Sequence, residues 1–188
     1  MEKVLIREFF YSIIQFFNHS SIWLIFAAVA VFAVLWGLLE YWLRRNAKLY
    51  TIINAVLLIV SLLFVFGITL LFRISDDYQS VSVIPFDFLF KVNNKRMLFK
   101  SMVMNVVLFI PLPLFGCSLF RCNSNKSGLI FIASGIAFSF LIESLQYLFI
   151  LGQADADDVI FNTKGLLIGY LLYRLHDRYI MKNKGNKT

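Results

Sequence analysis

Long apolar runs are the feature that most limits how this chain can fold. A helix needs roughly 17 to 25 mostly apolar residues to cross about 30 Å of hydrocarbon. Five stretches meet or approach that length, and they are residues 22–43, 52–72, 102–120, 129–151 and 159–175. The sequence therefore predicts an all-α integral membrane protein with about five transmembrane helices, numbered here as spans one to five.

The composition supports the same class. The chain is 60% hydrophobic and only 15% charged, and its mean hydropathy is +0.76, well outside the range of soluble domains. A formal net charge of +7 is also compatible with nucleic acid binding. In membrane chains, however, basic residues gather in cytosolic loops and beside anionic headgroups. We therefore expect a single membrane domain over residues 1–188, with membrane lipids and no nucleic acid as partners.

Two segments outside the spans have interfacial character. In "VLIREFFYSIIQFF", within an N-terminal amphipathic segment over residues 1–20, the polar side chains fall near one side of a helix. This pattern predicts a helix lying in the membrane interface or, equally, packed on the bundle. The later segment "VSVIPFDFLF" is too short to cross and is broken by Pro85. It predicts a re-entrant or interfacial segment.

The placement of Lys and Arg predicts the orientation. Basic residues follow span one, span three and span five, and with five spans these three groups share one side. The positive-inside rule assigns that side to the cytosol. The 73–101 loop, expected outside, also carries basic residues, which weakens the contrast. We predict a multi-pass protein of the cytoplasmic membrane with a cytosolic C-terminus.

Span four contains an ionisable side chain well inside its apolar run. Glu143, Gln146 and Tyr147 are spaced i, i+3 and i+4, so they share one helix face. Glu143 precedes the next turn by about eight residues, or roughly 12 Å of helix. An acidic side chain at the centre of a membrane helix costs about 2.5 to 3.5 kcal/mol. Glu143 therefore needs a partner or a proton.

The following helix offers partners. Asp155 or Asp158 could cap its N-terminus, where backbone amides and the helix dipole favour anions. Asp158 and Asn162 are spaced i, i+4, and Gly165 and Gly169 continue nearly the same face as a Gly-xxx-Gly pair. Such a pair permits close approach of another helix.

Antiparallel packing of these helices would bring Asp158 and Asn162 towards a polar face of span four, formed by Glu143, Gln146 and Tyr147. The long side chain of Lys164 could either reach Glu143 or extend outward to the interface. These groups either hydrogen-bond two helices together or form a polar pocket that opens outward. We favour the pocket, because ionisable residues inside a membrane are rare and usually mark functional sites. The glycine face is expected to pack on span four.

Other polar residues have simpler interpretations. Asn105 lies near the outer end of span three, and Pro111 and Pro113 deprive backbone carbonyls of their usual donors, which predicts a kink. Glu40 at the cytosolic end of span one is expected to extend its carboxylate to the interface. Cys117 and Cys122 have no spacing typical of a zinc or disulfide framework, so we expect packing residues.

Four motifs in order resemble the VanZ-like membrane proteins, a family named for a teicoplanin-resistance protein. They are "SVIPF", "NVVLFIPLP", "IESLQ" and "DADDVIFNTKGLLIGY", and they cover residues 82–175, the VanZ-like core. The resemblance implies importance for a set of polar, proline and glycine residues, namely Asn105, Pro111, Glu143, Gln146, Asp155, Asp157, Asp158, Asn162 and Gly165.

The chain departs from the family pattern at four points. Ser82 replaces an asparagine, Pro113 a glycine, and Lys164 an apolar residue. The arginine expected before the acidic turn is absent, with Gln153 nearby. In relatives that arginine could contact an anionic headgroup. Lys164 could supply the charge instead.

The resemblance implies lowered susceptibility to teicoplanin and related lipoglycopeptides, without remodelling of the cell-wall precursor. We expect a non-enzymatic protein that binds the antibiotic, a lipid or a lipid-linked precursor in the polar pocket, with no cofactor and no metal. One alternative is an intramembrane enzyme in which Glu143 and either Asp157 or Asp158 divide acid and base roles. Another is a proton-coupled transporter with Glu143 as the relay.

Overall fold

The computed structural model describes residues 22–71, 81–82, 95–151 and 154–185. The expected N-terminal interfacial helix and the segment around Pro85 lie outside these residues. The described part of the chain forms six α-helices: α1 (Ile22–Leu43), α2 (Ala47–Phe66), α3 (Lys95–Phe109), α4 (Pro111–Phe120), α5 (Asn125–Leu148) and α6 (Ala156–Gly185). The all-α membrane fold is confirmed.

Four stretches of helix are long and apolar enough to cross a membrane: Leu24–Leu43, Ala47–Leu70, Phe99–Phe120 and Asn125–Leu148. They coincide with the first four predicted spans. The fifth predicted span lies within α6, which does not meet this standard because charged residues recur along it. By length and composition the described residues thus supply four spanning helices, and α6 packs among them.

The start and the end of α2 have local causes. Asn46 accepts a hydrogen bond from the Leu49 backbone N–H at 3.2 Å, which caps the helix at Ala47. After Phe66 the helix widens into a π-helical turn over Gly67–Leu71. Such turns change the regular i to i−4 pairing and are frequent at functional sites. Here the turn contains Thr69, whose carbonyl accepts a hydrogen bond from a side chain of α5.

Span three is broken where the sequence predicts a kink. Helix α3 ends at Phe109 and α4 begins at Pro111, where proline suits the first helical position. Between them the Ile110 N–H donates to the Val107 carbonyl at 3.4 Å. The two helices together form the stretch Phe99–Phe120.

Helix α6 lies between span three and span four. On its glycine face, a Cβ at Gly165 would overlap the Val106 carbonyl, and one at Gly169 would overlap the Ile110 carbonyl. This corrects the expectation that the glycine face packs on span four. It packs on the α3–α4 break, because small residues let the two backbones approach closely there.

A second pair of glycines forms the contact with α5. Leu166 and Tyr170 of α6 lie against Gly135 and Gly128 of α5. The α5 partner numbers fall as the α6 numbers rise, so the two helices are antiparallel, as expected. Helix α6 therefore contacts α3–α4 through its own glycines and contacts α5 through the glycines of α5.

Candidate functional site

Glu143 is buried on α5, with 7% of its surface exposed. Its Oε2 accepts a hydrogen bond from the Asp155 backbone N–H at 3.1 Å. Asp155 belongs to β2 (Ala154–Asp155), which pairs in parallel with β1 (Val81–Ser82), so that Ser82 lies opposite Asp155. The carboxylate of span four thus holds the residues that lead into α6.

Asp155 also caps α6. Its Oδ1 accepts a hydrogen bond from the Asp157 backbone N–H at 2.9 Å, directly after the residue at which α6 begins. A capping carboxylate satisfies a helix N–H and interacts favourably with the helix dipole. Of the two predicted caps, Asp155 makes this contact, which leaves the Asp158 side chain for another helix.

The Asp158 carboxylate accepts a hydrogen bond from the Asn105 side-chain amide of α3. One turn further along α6, the Asn162 amide donates to Ser139 Oγ of α5 at 2.9 Å, and Asn162 is only 3% exposed. These two i, i+4 residues therefore connect α6 to two different helices. The structure brings Asn105 into the cluster, although it lies 53 residues before Asp158.

Gln146 connects the cluster to α2. Its Nε2 donates to the Thr69 carbonyl at 3.0 Å, within the π-helical turn. Gln146 is 1% exposed, and its Oε1, like Asn162 Oδ1, is buried and makes no hydrogen bond to the described part of the chain. A buried acceptor without a donor costs about 1 to 3 kcal/mol. The cluster therefore retains hydrogen-bonding capacity.

Two predicted pocket residues lie elsewhere. Lys164 is exposed, and its Nζ lies 4.3 Å from the centre of the Phe161 ring. Two residues after Asn162, it is rotated by about 200° around the helix, so of its two predicted positions it takes the outward one and does not approach Glu143. Tyr147 is 40% exposed, while its neighbour Gln146 is buried.

An apolar cavity of about 230 Å³ lies between α1, α2 and α3. One side of it is formed by Met104, Val107 and Leu108 of α3 and by Pro111 of α4. Met104 directly precedes Asn105, which bonds Asp158. The cavity therefore runs along the same helix that presents Asn105 to the polar cluster.

Sequence reasoning missed two members of the cluster. Ser139 lies one turn before Glu143 on the same face of α5, so its spacing could have identified it. Thr69 contributes through its backbone carbonyl in a π-helical turn, for which the sequence gives no comparable pattern.

Sequence reasoning was also wrong about Glu40. Its side chain is 1% exposed instead of extending to the interface. It lies on α1 near the α1–α2 turn, where Arg44 Nε is 3.9 Å from its Oε2. Arg44 also bonds Asp177 of α6, about 20 residues or roughly 30 Å along that helix from Asp158. Glu40 is therefore part of a second polar cluster, far from the first.

Comparison with known proteins agrees with the motifs. The VanZ/LLP1 family model matches residues 56–177. A protein named Protein VanZ from Enterococcus faecium is 34% identical over 87 residues, which is 46% of this chain and 52% of that protein. The chain thus spans about half the length of this relative.

No solved structure matches the chain. The family match covers well over half of the chain, and it contains the polar cluster from Thr69 and Asn105 to Asn162. This membrane protein belongs to the VanZ/LLP1 family.

Proposed function

We propose that this protein lowers the susceptibility of a bacterial cell to teicoplanin and related lipoglycopeptides by binding a lipid-bearing ligand at the outer face of the membrane. The ligand is the antibiotic itself or a lipid-linked cell-wall precursor. Membership of the VanZ/LLP1 family supports the resistance role in general terms. The argument for binding comes from the polar cluster and the cavity beside it.

The observation that carries the proposal is the Asn105–Asp158 bond, whose donor directly follows Met104 of the apolar cavity in α3. A lipid-bearing ligand has a polar head and an acyl chain. Met104, Val107 and Leu108 provide an apolar surface for the chain, and the adjacent Asn105 lies beside carboxylate and amide groups suited to the head. One ligand could therefore occupy both features.

The contacts of the carboxylates favour binding over catalysis. Glu143 bonds a backbone N–H, Asp155 caps α6, and Asp158 bonds an amide. Each contact fixes the relative position of two segments. A preformed polar surface of this kind lowers the ordering cost of binding a ligand.

The experiment compares teicoplanin susceptibility in a sensitive Gram-positive host that expresses the wild type, Glu143→Gln or Asp158→Asn at matched membrane levels. Cell-surface binding of a labelled lipoglycopeptide is measured in parallel, with a glycopeptide that lacks an acyl chain as the ligand control. Lys48→Gln, an exposed change on α2, serves as the matched protein control.

We expect protection by the wild type and by Lys48→Gln, and a graded loss in both cluster variants. Protection that survives both Glu143→Gln and Asp158→Asn would contradict the polar cluster as the site. Turnover of a purified envelope lipid that either amide substitution abolishes would instead identify an enzyme.

A further inference from the structure

Glu40 lies in a buried polar cluster built by three helices. The exposed fractions are 1% for Glu40 of α1, 1% for Asn54 of α2 and 0% for Ser118 of α4. The side chains of Asn54, Ser118 and Tyr50 stand beside the Glu40 carboxylate. A buried carboxylate is expensive in a membrane protein unless it is paired or neutralised. Its surroundings should therefore supply a positive charge or a donor.

The surroundings include Arg44 and the Ser118 and Tyr50 hydroxyls, which can donate, yet three oxygens of the cluster are left without a hydrogen bond among the described residues. Glu40 Oε2, Asn54 Oδ1 and Ser118 Oγ are buried and make no hydrogen bond within the described ranges. The Asn54 amide has a defined orientation, because its Nδ2 donates to the Tyr50 carbonyl at 3.1 Å. Its Oδ1 can only accept a hydrogen bond, as can Glu40 Oε2. Two buried acceptors that lie beside each other can share a proton or a cation.

Arg44 lies between two carboxylates. Its guanidinium donates to Asp177 Oδ1 at 2.9 Å, and its Nε lies 3.9 Å from Glu40 Oε2. The two carboxylates thus share the Arg44 guanidinium in a largely buried place. His176 donates through Nε2 to the Gly37 carbonyl. Arg44 and Tyr50 are the charged and titratable groups that act on Glu40 directly. The next groups outward are Arg121, Tyr173 and Asp177, which line the adjacent cavity, and His176, which lies near Arg44 and Asp177.

We propose that Glu40, Asn54 and Ser118 form a binding site for one exchangeable monovalent cation, a proton or Na⁺. A proton taken from water converts the Glu40 carboxylate to a carboxylic acid, whose O–H then donates to Asn54 Oδ1. Alternatively, Na⁺ takes the carboxylate, amide and hydroxyl oxygens as ligands, since hard cations prefer oxygen. Either species places a positive charge among these oxygens.

A cavity gives access to this site. Its volume is about 230 Å³, and Arg44, Tyr50 and Asp177 line it together with the exposed residues Arg121 and Asn123. Arg44 and Tyr50 therefore belong both to the cavity wall and to the surroundings of Glu40. A cation can enter from the surface and reach the carboxylate past these two side chains.

The test is infrared difference spectroscopy of the purified full-length protein in lipid nanodiscs at neutral pH. The spectrum of Glu40→Gln is subtracted from that of the wild type, first in sodium-free choline buffer and then after addition of Na⁺. A carbonyl band of a protonated carboxylic acid that is absent from Glu40→Gln identifies a bound proton. If Na⁺ converts that band to a carboxylate band, the site takes both cations; if Na⁺ leaves it unchanged, the site is specific for protons.

A carboxylate signal from Glu40 in the sodium-free buffer that does not respond to Na⁺ would overturn the proposal. Carboxyl-¹³C glutamate provides a measurement in the wild-type protein, because the chain contains only four glutamates. Ser118→Ala removes one facing oxygen without changing charge and should shift the same band. This readout needs no antibiotic, and Glu40 lies outside the residues matched by the family model. Failure here is therefore distinct from failure of the proposed function.

Discussion

Arg44, in the turn between α1 and α2, donates a 2.9 Å hydrogen bond to Asp177 near the end of α6, 133 residues later in the chain. The two side chains are 20% and 13% exposed, so water screens the pair only partly. This ion pair attaches the last helix of the described chain to the first one.

Asp177→Asn is expected to lower the free energy of unfolding by about 1 to 3 kcal/mol, in the range for hydrogen bonds to charged groups. The reason is that Arg44 loses its nearer carboxylate while it remains largely buried. Unfolding by a denaturing detergent in mixed micelles measures the change. Arg45→Gln, an exposed neighbour, should change it by less than about 0.5 kcal/mol, and equal effects of the two substitutions would contradict the assignment.

Gly165→Ala should destabilise the protein, although alanine is the better helix former by about 1 kcal/mol. Its Cβ would overlap the Val106 carbonyl and lie 2.9 Å from the Phe109 Cβ, so α6 would have to move away from α3. Overpacking of this kind costs about 1 to 3 kcal/mol. The measurement is the same detergent titration.

Gly37→Ala is the matched control for this substitution. The nearest atom to its Cβ would be His176 Cδ2 at 3.6 Å, an ordinary contact. We expect Gly37→Ala to be neutral or stabilising by up to about 1 kcal/mol. A Gly165→Ala protein as stable as Gly37→Ala would show that α3 and α6 are not in close contact.

Local spacing was enough to predict the helices and the residues that share a face. Glu143 and Gln146 are both buried, and Asp158 and Asn162 both point into the bundle, because i, i+3 and i, i+4 relationships depend only on helix geometry. The helix on which the glycine face packs was predicted wrongly. Nothing local to Gly165 distinguishes α5 from α3–α4 as its neighbour.

The second polar cluster shows the same limit. Glu40 was expected at the interface because its own helix ends three residues after it. It is buried because Asn54 and Ser118, from two other helices, surround it. The sequence shows that these polar residues lie inside apolar runs. It does not show that they meet, because their contact depends on how the three helices pack. Thr69 was beyond prediction for a different reason, since its contribution is a backbone carbonyl.

Asn105 and Asp158 should act as a unit in protection against teicoplanin. Asn105→Leu removes the donor to the Asp158 carboxylate, and Asp158→Asn removes its charge, so either change disrupts the same contact. We expect each single variant to lose protection. The double variant should protect almost as well as the less protective of the two single variants. Residues in direct contact typically show coupling of about 0.5 to 3 kcal/mol.

Susceptibility assays of the wild type, both single variants and the double variant, at matched membrane levels, measure this coupling. Ser134→Ala on the exposed side of α5 serves as the control and should protect like the wild type. Strictly additive losses would mean that the two side chains act independently.

His176 should make stability depend on pH. Burial, and next the nearby Arg44 charge, lower the pKa of this imidazole below its ordinary value of 6.5. In the pH range between the folded-state pKa and 6.5, the unfolded chain binds more protons than the folded chain, so stability rises with pH. The contribution of His176 to the free energy of unfolding is therefore complete above pH 6.5 and is lost as the pH falls towards the folded-state pKa.

Thermal unfolding of the wild type and His176→Gln between about pH 5 and 8, the range in which histidine charge changes, tests this sign. The wild-type Tm should fall more steeply than that of the variant on acidification. A variant with an equal or steeper fall would show that the imidazole does not become harder to protonate on folding.

Cysteine labelling should establish the orientation of the α4–α5 turn. Cys117 and Cys122 are both buried, and burial raises the pKa of the Cys122 thiol, so few thiolates are available at neutral pH. Both native thiols should react slowly with a maleimide. Ser124→Cys, at an exposed position of the same turn, should react rapidly in solubilised protein.

The positive-inside rule predicts that this turn lies in the cytosol. A membrane-impermeant maleimide should then label Ser124→Cys only after the cells are permeabilised. The wild type provides the background of the two native cysteines in the same assay. Rapid labelling of intact cells would reverse the predicted orientation. The Glu40 cluster lies near this turn, because Arg121 and Asn123 line the cavity beside it. The reversed orientation would place the Glu40 cluster on the outer side of the membrane and the Glu143 cluster on the cytosolic side. The proposed binding of an antibiotic from outside would fail with it, because such a ligand could not reach Asn105 and Asp158.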